Sequence, residues 1–232
     1  MISTALSPTE RSTPGRTKHR TVLERHALYD VLDTGLVCHI GLVLDDSPVV
    51  LPTGYGRDDD TLYLHGSTGA RSLRTPPDGV DICVTVTHVD GIVYARSLNH
   101  HSMNYRSAVV HGRARPVTER DEKLHGLKVI TEHLAPGSWD HARGVSNKEY
   151  AAVSVLALPL HEASVKVRAE GPNDDPEDVE ANAVWAGVLP VRQMFGTPEP
   201  AADLATDLPV PTHVTARAAA PVAGHAATDT AD

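Results

Sequence analysis

Six short apolar runs between Leu36 and Arg115, set at hairpin spacing and broken by turns, restrict this chain to a sheet of mostly neighbouring antiparallel strands. Leu36 to Leu44 leads into the turn Asp45-Asp46-Ser47-Pro48, and Val49 to Thr53 returns as the second arm of a hairpin. Gly54 to Asp60 reads as the next turn and Thr61 to Leu64 as the third strand. Val80 to Val86, Gly91 to Ala95 and Asn104 to Arg115 supply three more. Helical signals lie at the two ends of this run. Thr21 with Glu24 fits a capping box ahead of Val22, Leu23, Leu28, Val31 and Leu32, which predicts a helix over 21–33. Thr118 with Asp121 and Glu122 opens a second helix, carried by Leu124, Leu127, Val129, Ile130 and Leu134 and stopped at Pro136-Gly137. A shorter helical segment starts at Ser146, Val153 to Leu160 and Glu162 to Arg168 return to strand, and the acidic stretch 174–183 is helix-permissive. Strands that do not alternate with helices rule against a doubly wound sheet. The expected class is mainly β, an antiparallel barrel with flanking helices.

Within this frame the stretch Leu62 to Arg74 stands out. Leu62, Tyr63 and Leu64 alternate like a strand, then His65, Gly66, Ser67, Thr68 and Gly69 precede Arg71, Ser72 and Arg74 at helix-compatible spacing. Small hydroxylated residues and glycines between a strand and a helix start can point N–H groups, hydroxyls and a guanidinium at one phosphate. An ordinary strand–turn–helix with a solvated arginine has the same spacing, and the stretch matches no P-loop or dinucleotide fingerprint.

Composition narrows the function classes. The net charge of -9 argues against a nucleic-acid or membrane-surface binder, which needs clustered Lys and Arg. Cys38 and Cys83 lie inside apolar runs and read as buried small hydrophobes of a reduced compartment. No apolar run approaches spanning length and the start lacks a signal-peptide core, so a soluble, cytoplasmic protein is expected. Residues 1–17 read as a flexible arm, 18–195 as the folded domain and 196–232 as a disordered tail. His88, His100, His101 and His111 have no Cys, Asp or Glu at ligand spacing, and adjacent histidines on a strand face opposite ways. No metal site is expected.

The order Pro52-Thr53-Gly54-Tyr55, Leu64-His65-Gly66-Ser67 with Arg71, and Asn104-Tyr105-Arg106-Ser107 with Gly112 resembles the pyridoxamine 5′-phosphate oxidase-like flavoproteins. Glu162 to Arg168 and Trp185 to Pro190 are similar to the branch that holds the nitroimidazole-resistance proteins. The resemblance spans residues 17 to 192. It implies an FMN-binding split β-barrel, a six-stranded antiparallel Greek-key barrel, working as a homodimer with two cofactor clefts at the subunit interface.

By the same resemblance His65, Gly66 and Ser67 lie along the flavin ribityl chain and phosphate, and Arg71 grips the phosphate. Ser72 falls where many relatives have a lysine, with Arg74 one helical turn from Arg71 as a substitute. Leu51, Pro52, Thr53, Gly54 and Tyr55 belong to the strand facing the isoalloxazine edge. Ser107 falls at a polar position near the phosphate, and Tyr105 and Arg106 beside it are cofactor-binding candidates with it. Trp185 has two readings, a cap on the flavin ring at the interface or the filling of a core gap, and the first makes it a further candidate. His65 is the candidate catalytic residue, an imidazole placed to hydrogen-bond or protonate an acceptor, with a structural hydrogen bond to the cofactor as the alternative role. The terminal substrate motif of the true oxidases is missing, which turns the expectation away from vitamin B6 oxidation. The implied activity is an FMN-dependent oxidoreductase passing electrons from a reductant to a small organic acceptor. The alternative is a flavin-, deazaflavin- or haem-binding protein acting as carrier or sensor.

Overall fold

The computed structural model describes residues 5–6, 9–70, 76–205 and 208–219. In chain order the elements are β1 (Thr21–Val22), α1 (Arg25–Thr34), β2 (Cys38–Leu44), β3 (Ser47–Thr53), β4 (Tyr55–Asp58), β5 (Thr61–Ser67), β6 (Val80–Tyr94), β7 (Ser102–Pro116), α2 (Arg120–Leu134), α3 (Ser138–His141), α4 (Asn147–Ala152), β8 (Val153–Pro159), β9 (Glu162–Arg168), α5 (Pro176–Ala181), β10 (Gly187–Pro190) and α6 (Thr212–Ala219). The strands form one antiparallel system in the order β3-β2-β6-β7-β8-β5-β4, with β9 on β7, β1 on β9 and β10 on β6. Strand β7 has three neighbours. It pairs with β6 along most of its length, with β9 beside residues 105–111, and with β8 only at Arg115 and Pro116. That change of partner divides the sheet into two layers that share β7.

Alternation makes the core. On β6 Ile82, Val84 and Val86 point inward, as do Ala108, Val110 and Ala114 on β7, and Leu28, Val31 and Leu32 of α1 pack with them. Each such valine, leucine or isoleucine contributes about 1.5–3 kcal/mol by leaving water. Cys38 is buried in this core, where loss of hydration pushes its thiol up to about 12. A second cluster, Tyr63, Val117, Ile130, Val155 and Ala157, lies on the opposite face of β5 and β8, under α2. Gly126 allows this approach, since a Cβ there would stand 2.8 Å from the Tyr63 ring. No helix among the described residues is long and apolar enough to cross a membrane.

Several elements differ from the sequence expectation. The first helix starts at Arg25, not Thr21, and its Glu24 cap makes no side-chain capping bond. Thr21 and Val22 pair instead with Lys166 and Val165, so sheet formation displaces the capping box. The Gly54–Asp60 turn shrinks to Asp59-Asp60, because Tyr55 to Asp58 pairs with β5 as β4. Asp45 and Asp46 both take positive φ, 47° and 59°, and form a two-residue hairpin turn that leaves Ser47 and Pro48 in the strand. The fourth and fifth strands are one, β6, with a bulge between Val89 and Gly91. Within the expected arm, Leu6 and Ser12 are buried and Arg11 forms an ion pair with Glu162. Within the expected tail, α6 brings Arg217 over the Phe195 ring.

Candidate functional site

Strand pairing assembles one end of the β4–β5–β8 layer. β4 begins with Tyr55 opposite Leu64, so Gly54 and the end of β3 lie just ahead of the rung that precedes His65. On the other side of β5, Val155 faces His65 and Val153 faces Ser67. Side chains alternate, so His65 and Ser67 share the α2 side with Tyr63, whereas Gly66 shares the core side with Leu62 and Leu64. The His65 ring is half-buried, and its Nδ1 is buried with no partner among the described residues. Burial lowers its pKa below the ordinary imidazole value, so the ring is neutral at physiological pH.

The turn after β5 is tied down internally. Thr68 N–H donates to the Ala152 carbonyl at 3.0 Å, Ala70 N–H to the Ser67 carbonyl at 2.9 Å, and Gly69 N–H to Ser67 Oγ at 3.1 Å. The N–H groups of these three residues are therefore engaged within the chain. What the turn still offers is the Ser67 hydroxyl proton, which has no acceptor among the described residues. Arg71 and Ser72, expected to hold the phosphate, lie outside the described residues, as does Arg74. Lys123 of α2 is a cation that sequence reading missed. Its Nζ donates to the Tyr150 carbonyl at 2.9 Å and lies 4.1 Å from the Tyr150 ring centroid, two residues from the carbonyl that holds Thr68. Burial pulls this ammonium's pKa down. Only the packing of α4 on α2 brings it there, so no local motif could have revealed it.

Among the flavin-edge residues, Leu51, Pro52 and Thr53 sit on β3, which pairs with β2 alone among the described residues and leaves its other edge open. Gly54 faces open space, with nothing within 4 Å of an added Cβ. Tyr55 is different. Its side chain is fully buried and its hydroxyl donates to the Leu32 carbonyl at 2.5 Å, so it serves the core. Tyr105, Arg106 and Ser107 lie mid-way along β7, paired with β6 and β9, away from the Ser67 end of β5. The Arg106 guanidinium grips Asp90 of the bulge at 2.9 and 3.0 Å. Trp185 is 69% exposed and lies 5.9 Å from Tyr94, at the end of β6 where the connection with exposed Leu98 leads into β7 and its exposed Met103. There His101 Nδ1 accepts from Ala95 N–H at 2.9 Å, whereas His100 Nδ1 is buried without a partner. No group of three or more His, Cys, Asp or Glu among the described residues is arranged to hold a metal ion.

A family model described as pyridoxamine 5′-phosphate oxidase matches residues 24–167. The chain belongs to that family. Its fold is the split-barrel type of the family, and its strands account for both layers described above. No curated protein matches the chain. Among solved structures, the flavocytochrome Anf3 from Azotobacter vinelandii is 33% identical, with a TM-score of 0.85, over 91% of this chain and 98% of that one. A FAD and heme binding protein from Mycobacterium smegmatis is 37% identical, with a TM-score of 0.81, over 86% of this chain and 97% of that one. A 5-nitroimidazole antibiotic resistance protein from Bacteroides thetaiotaomicron is 22% identical, with a TM-score of 0.53, over 63% of this chain and 86% of that one. The nitroimidazole-resistance branch suggested by the sequence motifs is therefore the more distant likeness. Motifs such as Leu64-His65-Gly66-Ser67 build the common fold and do not separate its branches.

Proposed function

We propose that this chain is a flavin- and haem-binding protein that carries electrons between the two groups, with the flavin phosphate end at the Ser67 turn. The similarity that supports this is the 33% and 37% identity to a flavocytochrome and to a FAD and heme binding protein, each matched over nearly its whole length. The expectation of FMN thereby broadens to a flavin, and haem joins it. The residues present fit both groups. For the flavin, β3, with one edge open, runs through Gly54 into the Tyr55–Leu64 rung next to His65, whose Nδ1 lacks a partner, and the Ser67 hydroxyl still has a proton to donate. For haem, His65 and His100 are the two imidazoles among the described residues whose buried ring nitrogen is unpartnered, and His100 adjoins exposed apolar surface. The flavin supplies two-electron and one-electron chemistry when bound, and the haem one-electron chemistry. This chain binds them, orients them and sets their surroundings.

In the same reading the protein acts as a homodimer. Leu98, Met103, Tyr94 and Trp185 leave an apolar shelf that a second copy would cover, and β3 offers an unpaired strand edge as well. A turnover function, reduction of a small organic acceptor, is the second reading. The observation favouring it is the neutral His65 imidazole at the flavin end, suited to donating a hydrogen bond without carrying charge.

The absorption spectrum of the purified protein tests the proposal. Flavin bands together with a Soret band are expected, and reduction of the flavin should be followed by reduction of the haem. Chromatography of the released flavin then identifies it. A spectrum with flavin bands alone, after expression with haem supplied, would return the protein to the oxidoreductase reading.

A further inference from the structure

Next to the Ser67 turn lies a cleft of about 440 Å³ that the flavin reading leaves unused, a volume in the range of small-molecule sites. Its wall includes Val153, the cross-strand partner of Ser67, and Leu127 of α2, so it opens on the side of β5 that carries His65 and Ser67. Trp139 and Val145 give it apolar surface. Glu132 fixes the Trp139 segment by accepting from Gly137 N–H at 2.7 Å and from Trp139 N–H at 2.8 Å. At the rim Arg143 and Glu149 form a two-point ion pair, at 2.5 and 2.9 Å.

The polar groups of the rim are specific in kind. Glu149 Oε2 accepts from Arg143 and from both the N–H and the hydroxyl of Ser146, whereas Oε1 accepts only from Arg143 Nη2 among the described residues. Arg143 Nε–H has no acceptor among them. The pair thus sets a free acceptor beside a free donor, and being neutral overall it does not select an anion. These bonds hold the Glu149 carboxyl far below the usual carboxylate range, so it remains an acceptor at every physiological pH. An indole with aliphatic neighbours suits the face of a planar heteroaromatic ring. An acceptor next to a donor suits the edge of a nucleobase, whose amino group lies beside a ring nitrogen.

We infer that this cleft seats the adenine ring of a dinucleotide flavin whose phosphates lie at the Ser67 turn, with Trp139 along the base and the Arg143–Glu149 pair at its edge. The inference rests on the flavin reading above and deepens it, since a mononucleotide would leave the cleft empty. A nucleobase elsewhere on the surface would have no reason to share a wall with the phosphate turn. Here Val153 belongs to both.

The experiment is a titration of full-length protein, freed of its flavin, with FAD, FMN and riboflavin, followed by calorimetry and flavin fluorescence. FAD should bind more tightly than FMN by about ten- to a hundred-fold, the range of one base stacked on an aromatic ring. Trp139→Ala should remove that advantage and leave FMN affinity unchanged, which also shows that the variant is folded. Trp139→Phe should retain most of it. Glu149→Gln, which keeps an acceptor for Ser146, should narrow the gap between FAD and FMN without touching FMN. Equal affinities for FAD and FMN in the wild type, or equal losses for both in Trp139→Ala, would overturn the adenine site while leaving the flavin reading intact. Failure to bind any of the three flavins would overturn the flavin reading itself, and the adenine site with it.

Discussion

Tyr55 stands opposite Leu64 on the first rung of the β4–β5 ladder, and this rung decides which loops meet at the candidate site. Because β4 begins there, the end of β3 is delivered to the end of β5 by a single connecting residue, Gly54. The rung is fixed from two sides. Tyr55 is anchored through its hydroxyl to the Leu32 carbonyl, and the next residue, Gly56, lies directly under α2.

Gly56 should tolerate no side chain. A Cβ there would stand 2.6 Å from the Val129 carbonyl oxygen and 2.8 Å from Ile130 Cα, both backbone atoms of α2 that cannot rotate away. Gly56→Ala must lift the helix or bend the strand, and overpacking of this kind costs roughly 1–3 kcal/mol. Chemical denaturation should show that loss, together with weaker flavin binding, since α2 also covers the His65 side of β5. A variant as stable as the wild type would mean that α2 is free to shift.

His133 should make stability depend on pH. Its Nε2–H donates to the Gly35 carbonyl at 2.6 Å and its ring lies 4.7 Å from the Tyr55 ring. Burial is the largest influence and lowers its pKa, outweighing the Gly35 bond and the charge of Asp33, which pull it up. A folded-state pKa below the unfolded value means that the unfolded chain takes up the proton first. Stability is therefore constant above the unfolded value of about 6.5 and falls as the pH drops from there towards the folded value. His65 acts with the same sign. Thermal unfolding between pH 8 and pH 5 (limits on the order of an imidazole titration) should show this slope, reduced in His133→Gln. An unchanged slope would assign the acid sensitivity to other groups.

The sheet was legible where side chains alternate over a long run. In Ile82, Val84 and Val86 of β6 and in Ala108 and Val110 of β7 the inward positions are apolar, and the period alone gives the strand. It was illegible where turn-forming residues sit in a strand for tertiary reasons. Gly56 and Asp58 look like a turn, and only the closeness of α2 explains the glycine. The same divide holds at the site. His65 and Ser67 could be read from one short motif, whereas Lys123, Trp139 and Arg143 reach it through the packing of α2, α3 and α4, which no local pattern encodes.

Phosphate binding should depend on side-chain charge more than on the turn's backbone. The N–H groups of Thr68, Gly69 and Ala70 all have acceptors within the chain, so among the described residues the balance falls to Ser67 and Lys123, joined, by family resemblance, by Arg71. Arg71→Ala should weaken FMN binding about ten- to a hundred-fold, the effect of losing bonds to a charged group, and leave riboflavin nearly unaffected. Ser67→Ala should cost less, because it releases Gly69 N–H to take over. Titration of both variants with FMN and riboflavin checks the order. Equal losses for the two ligands would show that Arg71 does not hold the phosphate.

His100 is the imidazole expected to bind the haem iron. A ligand nitrogen must be bare and unshared. The Nε2 atoms of His88 and His133 donate to the carbonyls of Val31 and Gly35, and that of His125 bonds Asp58. His101 accepts from Ala95 N–H through Nδ1, which places its ring proton on Nε2, so neither nitrogen is available. Of the two imidazoles with an unpartnered buried nitrogen, His65 lies at the flavin end of β5, which leaves His100, two residues after the exposed Leu98 and next to His101, whose ring meets Tyr94 at 6.0 Å. Haem titration of the flavin-loaded protein should give a Soret band that His100→Ala abolishes or shifts, with the flavin bands unchanged. His101→Ala should retain the wild-type Soret position, and His65→Gln should alter flavin binding only. A Soret band that survives His100→Ala unshifted but is lost in His65→Gln would move the haem to the β5 end and exchange the two roles.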